Sequence, residues 1–380
     1  MKNKSILKSQ GFQTVLSSII CILLGLLIGF IVLLFINPKD APEAMGMIIK
    51  NFFKFNRSEL KLQSLGNTLI KTAPLLMCSL SILFSYKGGL FNIGVAGQYV
   101  AGACAALYGA FGLGLNWIGC LILAAIAGAL FGCITGLLKV YCNVNEVISG
   151  IMLNWIALYT TNIILSKYMA SGRKTTPELM LNADYHKSIL PSLGIDKLFN
   201  DHDYIGISVI LAICFAFIVW LVLNKTKFGF ELKATGLNKD AAKYAGMAEK
   251  RNMILTLVIS GILAGLGAAF LFLSDYTQWD CNQTSVPAMG FNGIAAAFLG
   301  GLNPIGSIFS SYFIQHITDG GANVNLTTYC AQISDLISAI IIYLCGFTGF
   351  IRHLIDTGLI KLKRKKEEST PENSSKGGDE

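Results

Sequence analysis

Repeated long apolar runs constrain this sequence more than any other feature. The first, residues 15–36, carries no charged residue and is long enough to cross about 30 Å of hydrocarbon. Because such runs are typical of membrane-spanning helices, we expect an all-α polytopic membrane protein with about ten transmembrane helices, some of them short or broken. The further apolar runs lie at 64–85, 96–111, 115–138, 146–166, 204–223, 253–273, 290–302, 304–318 and 331–351.

The composition agrees with a membrane protein and excludes several other classes. Only 14% of the residues are charged, against about 25% in an average soluble domain, and 53% are hydrophobic. Glycine is frequent, with 39 residues, which is typical of membrane helices that pack closely or break. The ten cysteines lie mostly in apolar runs without CxxC or His-paired spacing, so we predict neither a disulfide framework nor a metal site. Nothing in the charge pattern suggests nucleic acid.

Lysine and arginine predict the orientation in the membrane. The amino end, the segment 224–252 and the tail after the last run are all basic, which favours cytoplasmic N- and C-termini in the plasma membrane. Loop 37–62 is also rich in lysine and disagrees, but three regions outweigh one. A cleaved signal peptide is the alternative for the first run, although its apolar core is too long and no A-x-A site follows.

This orientation divides the chain into segments of different role. The predicted segments are a cytoplasmic N-terminus (1–12), a signal-anchor helix (13–36), an extracytoplasmic loop (37–62), a first helical half (63–223), a cytoplasmic coupling segment (224–252), a second helical half (253–352) and a basic, then disordered, cytoplasmic tail (353–380). Asp275, Trp279 and Asp280 then fall in an extracytoplasmic loop, where a solute-binding protein could dock.

Two segments of the chain resemble one another. GGLFNIGVAGQ begins at Gly88 and MGFNGIAAAFLGG begins at Met289, and each leads into a helix of small residues. In the predicted orientation the two helices run in opposite directions, as an inverted repeat requires. Transporters with inverted repeats place their substrate path at the repeat interface. Chance similarity is the alternative, because Gly, Phe and Asn are common in a glycine-rich membrane protein.

The segment GFELKATGLNKDAAKYAGM, residues 229–247, predicts a short helix on the cytoplasmic side. Asn238 can cap it and Gly246 can end it in the left-handed conformation. A helix of about two turns is too short to be stable alone in water, so it must dock on something. Alanines at 241, 242 and 245 permit close approach, and Tyr244 can anchor a partner. A solvated connector is the alternative.

Four segments carry a family resemblance. YKGGLFNIGVAGQ (86–98) is similar to the family segment FRAGLFNIGAEGQ, and NEVISGIMLNWIA (145–157) to NEVISTIMLNYIA. GFELKATGLNKDAAKYAG (229–246) is similar to GYELRAVGLNPEAARYAG, and GFNGIAAAFLGGLNPIG (290–306) to GFDGIAVALLGGNNPIG. The chain therefore resembles the permease subunit of ATP-binding-cassette (ABC) importers for simple sugars and nucleosides, in its nucleoside branch. One departure is that Ala96 replaces the glutamate of the family segment.

The resemblance implies several partners. A separate ATPase subunit binds ATP and Mg, a second and different permease pairs with this chain, and an extracytoplasmic lipoprotein or solute-binding protein delivers the solute. The chain itself has no GxxxxGK[ST] phosphate loop, so we predict no ATPase activity, no catalytic residues and no bound cofactor. The residues that would couple to the ATPase are Gly236, Asn238, Ala241, Ala242, Tyr244 and Gly246.

We expect a neutral polar solute, preferably a nucleoside, to contact amides and aromatic rings at the two similar segments. The alternative is that these amides satisfy backbone groups freed by broken helices, or form only an interhelical hydrogen bond in the case of Asn154. A simple sugar such as ribose or galactose is the second candidate solute. The candidate pathway residues are Phe91, Asn92, Gln98, Asn154, Phe291 and Asn292.

Other classes of function fit the sequence less well. An ion-coupled secondary transporter would need ionisable residues within its spans, and Glu146, Asp275 and Asp335 all lie near span ends. Lys71 lies in the first third of the run 64–85, from where it can extend its charge to the membrane surface. An intramembrane enzyme is disfavoured because neither HExxH nor GxSxG occurs.

Overall fold

A computed structural model describes residues 10–322 and scattered residues between 324 and 357, and the described part is built of helices with no β-strand. The α-helices are α1 (Gln10–Ile36), α2 (Ala41–Lys50), α3 (Ser58–Lys87), α4 (Val95–Phe111), α5 (Trp117–Tyr141), α6 (Glu146–Leu165), α7 (Ile195–Leu198), α8 (Ser208–Lys225), α9 (Lys227–Leu237), α10 (Lys239–Tyr244), α11 (Glu249–Phe272), α12 (Met289–Leu299) and α13 (Pro304–Ala322). Short 3-10 turns occupy Asn51–Lys54, Ser166–Tyr168 and Ala183–Ser188.

The helices confirm the predicted class of an all-α polytopic membrane protein. Among the described residues, six stretches are long and apolar enough to cross a membrane: they lie in α1, α3, α5, the α6 region, α8 and α11. The helices α4 and α12 are apolar but shorter, as the glycine-rich runs there predicted. The last predicted span, 331–351, lies mostly outside the described residues, and so does Asp335.

Two long helices form the centre of the molecule. In α3 and α11, 89% and 72% of the most apolar stretch is buried, whereas the corresponding shares in α5 and α6 are 28% and 33%. The exposed side chains of α5 and α6 are mostly large and apolar, for example Ile126 and Ile156. Since an exposed apolar face is stable in hydrocarbon but not in water, α5 and α6 form an outer layer that faces lipid or another subunit.

Glycines set the distance between the outer and central layers. A Cβ atom added at Gly128 of α5 would collide with the carbonyl oxygen of Gly261 in α11, and one added at Gly132 would collide with that of Leu257. The two helices therefore touch backbone to backbone. Small residues are what membrane helices use for such close approach, because apolar side chains gain little by leaving lipid. This contact packs α11 closely against α5.

Candidate functional site

The helical path is interrupted between α3 and α4, two helices that are otherwise mostly buried. The helix α3 ends at Lys87 and α4 begins at Val95. Gly89 turns the chain with a φ of 75°, in the left-handed region that favours glycine. A Cβ atom at Gly89 would also lie 2.6 Å from the Cα of Gly236, at the end of α9. This segment, residues 88–94, is called the α3–α4 break below.

Two amides from the α3–α4 break and α4 are joined in a buried network. The Nδ2 of Asn92 donates to the Oε1 of Gln98 at 2.9 Å and to the Oγ of Ser260 at 2.8 Å. Ser260, on α11, donates in turn to the carbonyl oxygen of Ser81 on α3 at 2.9 Å. Asn92 and Gln98 are 2% and 1% exposed. The network therefore ties three helices together at the break.

The same network leaves one acceptor and one donor without a partner among the described residues. These atoms are the Oδ1 of Asn92 and the Nε2 of Gln98. Both lie beside Gly94: a Cβ added there would be 3.1 Å from the first and 3.7 Å from the second. An uncommitted amide oxygen next to an uncommitted amide nitrogen can hydrogen-bond a neutral polar group that offers both a donor and an acceptor.

Asn154 on α6 supports the start of α4. Its Oδ1 accepts from the backbone N–H of Gly97 at 2.7 Å, and its Nδ2 donates to the carbonyl oxygen of Ile93 at 3.2 Å. The N–H of Gly97 lies in the first turn of α4, where N–H groups have no partner within the helix. Asn154 therefore forms interhelical hydrogen bonds, as the alternative to solute contact requires. Solute contact by this residue stays a prediction.

The two similar segments meet at a point of close backbone contact. A Cβ at Gly290, at the start of α12, would lie 2.5 Å from the Cα of Ala96. Phe291 is 40% exposed and Asn292 is half-buried. Among the described residues, neither side chain hydrogen-bonds to the amide network, so the structure brings the backbones together but not the predicted polar groups. The inverted repeat stays a prediction.

Position 96 lies in a close contact between α4 and α12. Ala96 is 1% exposed, and its Cβ would lie 2.8 Å from a Cβ added at Gly290. A glutamate at this position would point a long charged side chain into the contact between α4 and α12. The small side chain at 96 and the glycine at 290 therefore fit one another.

The predicted short helix on the coupling segment is present as α10. The Oδ1 of Asn238 accepts from the N–H groups of Asp240 and Ala241, each at 3.0 Å. Gly246 follows the helix with a φ of 80°. The N–H of Met247 donates to the carbonyl of Ala242 at 3.0 Å, which closes the C-terminal end. The cap and the stop signal are confirmed, with the helix ending at Tyr244.

The exposed side of α9 and α10 carries three large apolar side chains among charged ones. Tyr244 is 92% exposed, Leu237 is 89% exposed and Phe230 is 65% exposed, whereas Ala242 is buried against the body of the protein. Gly236 packs on the α3–α4 break: a Cβ there would lie 2.6 Å from the carbonyl oxygen of Lys87. The segment thus presents large apolar side chains outward and a backbone contact inward.

One charged pair within the spans was missed by the sequence analysis. Lys71 on α3 forms an ion pair with Asp319 on α13, with 2.8 Å between Nζ and Oδ1. The Nε2 of Gln315 donates to the same oxygen at 3.1 Å, and Lys71 lies over the ring of Tyr276, 5.3 Å from its centroid. The only signal was an aspartate one residue beyond the run 304–318. Lys71 is therefore paired inside the protein instead of only reaching the membrane surface.

The residues predicted as a docking site are mostly inside. Trp279 is 2% exposed and its Nε1 donates to the Oδ1 of Asn162 at 3.0 Å. Asp275 is 4% exposed and accepts from the backbone N–H groups of Leu179 and Met180 at 3.0 and 2.9 Å. Burial raises the pKa of the Asp275 carboxyl group, and these hydrogen bonds oppose the rise. The docking prediction is wrong for Asp275 and Trp279, which fasten the loop 169–194.

Comparisons with known proteins identify the family. A family model described as "Branched-chain amino acid transport system / permease component" matches residues 64–346. The guanosine ABC transporter permease protein NupP of Bacillus subtilis (strain 168) is 31% identical over 91% of this chain and 96% of its own length. The nucleoside ABC transporter permease protein NupB of Lactococcus lactis subsp. cremoris (strain MG1363) is 32% identical over 96% and 98%. The glucose ABC transporter permease protein TsgB13 of Haloferax volcanii is 26% identical over 85% of each chain.

The matched region contains the α3–α4 break, the amide network, α10 and the start of α12. The long apolar helices on the same residues make the chain a multi-pass membrane protein. It belongs to this permease family and is the membrane-embedded permease subunit of an ABC transporter.

Proposed function

We propose that the chain is the permease subunit of an ATP-driven importer that moves a nucleoside into the cell by alternating access. The observation that carries the solute class is the buried amide pair Asn92 and Gln98, which leaves one acceptor and one donor free in a site without charge. A neutral site favours a neutral polar solute, since no fixed ion holds it back. Relatives named for guanosine and nucleosides support the nucleoside.

Transport begins, in this proposal, at the exposed side of α9 and α10. Leu237 and Tyr244 contact a separate ATPase subunit, which binds ATP and Mg and supplies the free energy. When the ATPase closes, α10 moves and carries α9 with it, because α9 ends at Leu237, just before α10 begins at Lys239. The backbone contact between Gly236 and the α3–α4 break passes this movement to Gly89.

The movement reaches the amide network next. Asn92 is only three residues from Gly89, and its bonds to Gln98 and Ser260 close the network across α3, α4 and α11. Displacing the break separates these groups and opens the site to one side of the membrane. The free Oδ1 of Asn92 and Nε2 of Gln98 then face the solute, with Phe91 beside them. Phe291 and Asn292 on α12 complete the opposite wall.

The remaining partners follow from the same proposal. A second, different permease covers part of the apolar layer formed by α5 and α6, and lipid covers the rest. An extracytoplasmic lipoprotein or solute-binding protein delivers the nucleoside. The protein lies in the plasma membrane with both termini in the cytoplasm, so that α10 faces the ATPase.

Uptake in vesicles tests the energy source and the solute. Membrane vesicles with the complete transporter should take up labelled guanosine when ATP is present inside and no ion gradient exists. Unlabelled adenosine should compete and ribose should not. If ribose alone competes, the transported solute is a simple sugar, which is the second candidate and is favoured by the glucose-permease relative. Uptake driven by an ion gradient without ATP would refute the ATP-driven mechanism.

A charge at Tyr244 tests the coupling surface. Tyr244→Asp replaces the 92% exposed aromatic ring of α10 by a carboxylate, so ATP-driven uptake and co-purification of the ATPase should both be lost. The control Tyr244→Phe keeps the ring and should retain both. Normal uptake by Tyr244→Asp, with normal amounts in the membrane, would contradict the assignment of α10.

A further inference from the structure

A cavity lies between the end of α3 and α9, and neither Asn92 nor Gln98 lines it. Its volume is about 500 Å³. Lys87 of α3 and Lys233 of α9 both line it, together with Tyr86, Phe91 and Leu237. Tyr86 is 43% exposed.

The cavity is positively charged and nothing in its lining neutralises it. None of its lining residues is acidic. Among the described residues Lys87 forms no ion pair, and Lys233 donates only to the neutral Oδ1 of Asn224 at 3.0 Å. The two ammonium groups repel one another. Glu231, the acidic residue nearest in the sequence of α9, is paired with Lys227 at 3.8 Å.

We propose that this cavity binds a phosphate group, either that of a nucleoside monophosphate in the cytoplasm or that of an anionic lipid headgroup. Two lysines that converge from different helices can both donate to phosphate oxygens, and charge-assisted hydrogen bonds of this kind are short and strong. Binding an anion also removes the repulsion between the two ammonium groups. The partly exposed Tyr86 offers an aromatic ring on which a base can stack.

A bound phosphate would act on the contact that transmits movement from α9. Gly89 and Gly236, which touch backbone to backbone, also line this cavity. An anion held by Lys87 and Lys233 ties α3 to α9 across that contact and opposes its movement. A nucleoside monophosphate would therefore slow further uptake from the inside. This consequence rests on the proposed importer function, whereas phosphate binding itself does not.

Binding to the purified full-length chain tests the site. The chain is placed in nanodiscs of phosphatidylcholine and titrated with guanosine monophosphate, inorganic phosphate and guanosine. Guanosine monophosphate and phosphate should bind at this cavity, and guanosine should not compete with phosphate there. Lys87→Gln and Lys233→Gln should each weaken binding at least about tenfold, since a hydrogen bond to a charged group contributes about 1.5–3 kcal/mol. The control Lys225→Gln removes an exposed charge at the last residue of α8, and this variant should bind phosphate like the unaltered chain.

Nanodiscs that contain phosphatidylglycerol distinguish the two sources of phosphate. If this lipid competes with guanosine monophosphate, and the competition is lost in Lys87→Gln, the site binds the lipid headgroup. If nucleotide binding is undiminished by the lipid, the site binds the nucleotide. The proposal is overturned if no phosphate compound binds, or if all three lysine variants bind equally. It is also overturned if Lys87→Gln and Lys233→Gln lose only the ATPase subunit on purification, because the lysines would then meet acidic residues of that protein. Normal ATP-driven uptake in either case would leave the importer function standing.

Discussion

Replacing Asn154 by leucine tests whether this residue supports the α3–α4 break or contacts the solute. Leucine has a similar size but cannot hydrogen-bond. The change leaves the N–H of Gly97 and the carbonyl of Ile93 without the partners that now lie 2.7 and 3.2 Å away. Asn154 is 2% exposed, so water does not replace the amide.

The expected loss follows from these two groups. A buried polar group that loses its partner costs about 1–3 kcal/mol, which gives about 2–6 kcal/mol for the pair. Hydrogen bonds between membrane helices fall near the lower end, because the unfolded helices find other partners in the membrane. We therefore expect about 2 kcal/mol, and a melting temperature lower by a few degrees.

Thermal unfolding in detergent, followed by size-exclusion chromatography, measures this loss. Thr160→Leu is the matched control, because Thr160 lies on the same helix with an exposed side chain. It should unfold at the temperature of the unaltered chain. If Asn154→Leu is as stable as this control but no longer supports guanosine uptake, the structural explanation is refuted and Asn154 contacts the solute.

Three further predictions concern stability, and two of them use the same thermal assay. Gly236→Ala should lower the free energy of unfolding by about 1–3 kcal/mol, because the added methyl group overpacks against backbone. Gly46→Ala should leave the free energy of unfolding unchanged, because Gly46 has open space around it. Equal stability of the two variants would contradict the close contact. Ala96→Glu should yield little folded protein, and a normal yield in membranes would show that the contact with α12 can open. Lys71→Met should be less stable than the double variant with Asp319→Leu, since the single change removes the lysine partner of a largely buried carboxylate; additive losses would show that the ion pair contributes nothing.

The elements that the sequence predicted well are those whose signal lies within a short window. The apolar runs gave the long helices because the cost of burying charge in lipid acts on each run separately. The cap Asn238 and the stop Gly246 gave α10 to within one residue, since both act on the nearest turn of backbone.

The sequence by itself determined the class of the fold and most of its long apolar helices. Only the tertiary structure decided that Asn92 bonds to Ser260, that Lys71 pairs with Asp319 and that Trp279 is buried. Each of these contacts joins residues far apart in the chain. They depend on how α3, α6, α11 and α13 cross, and the crossing is set by the close packing of many side chains at once, which no local pattern encodes.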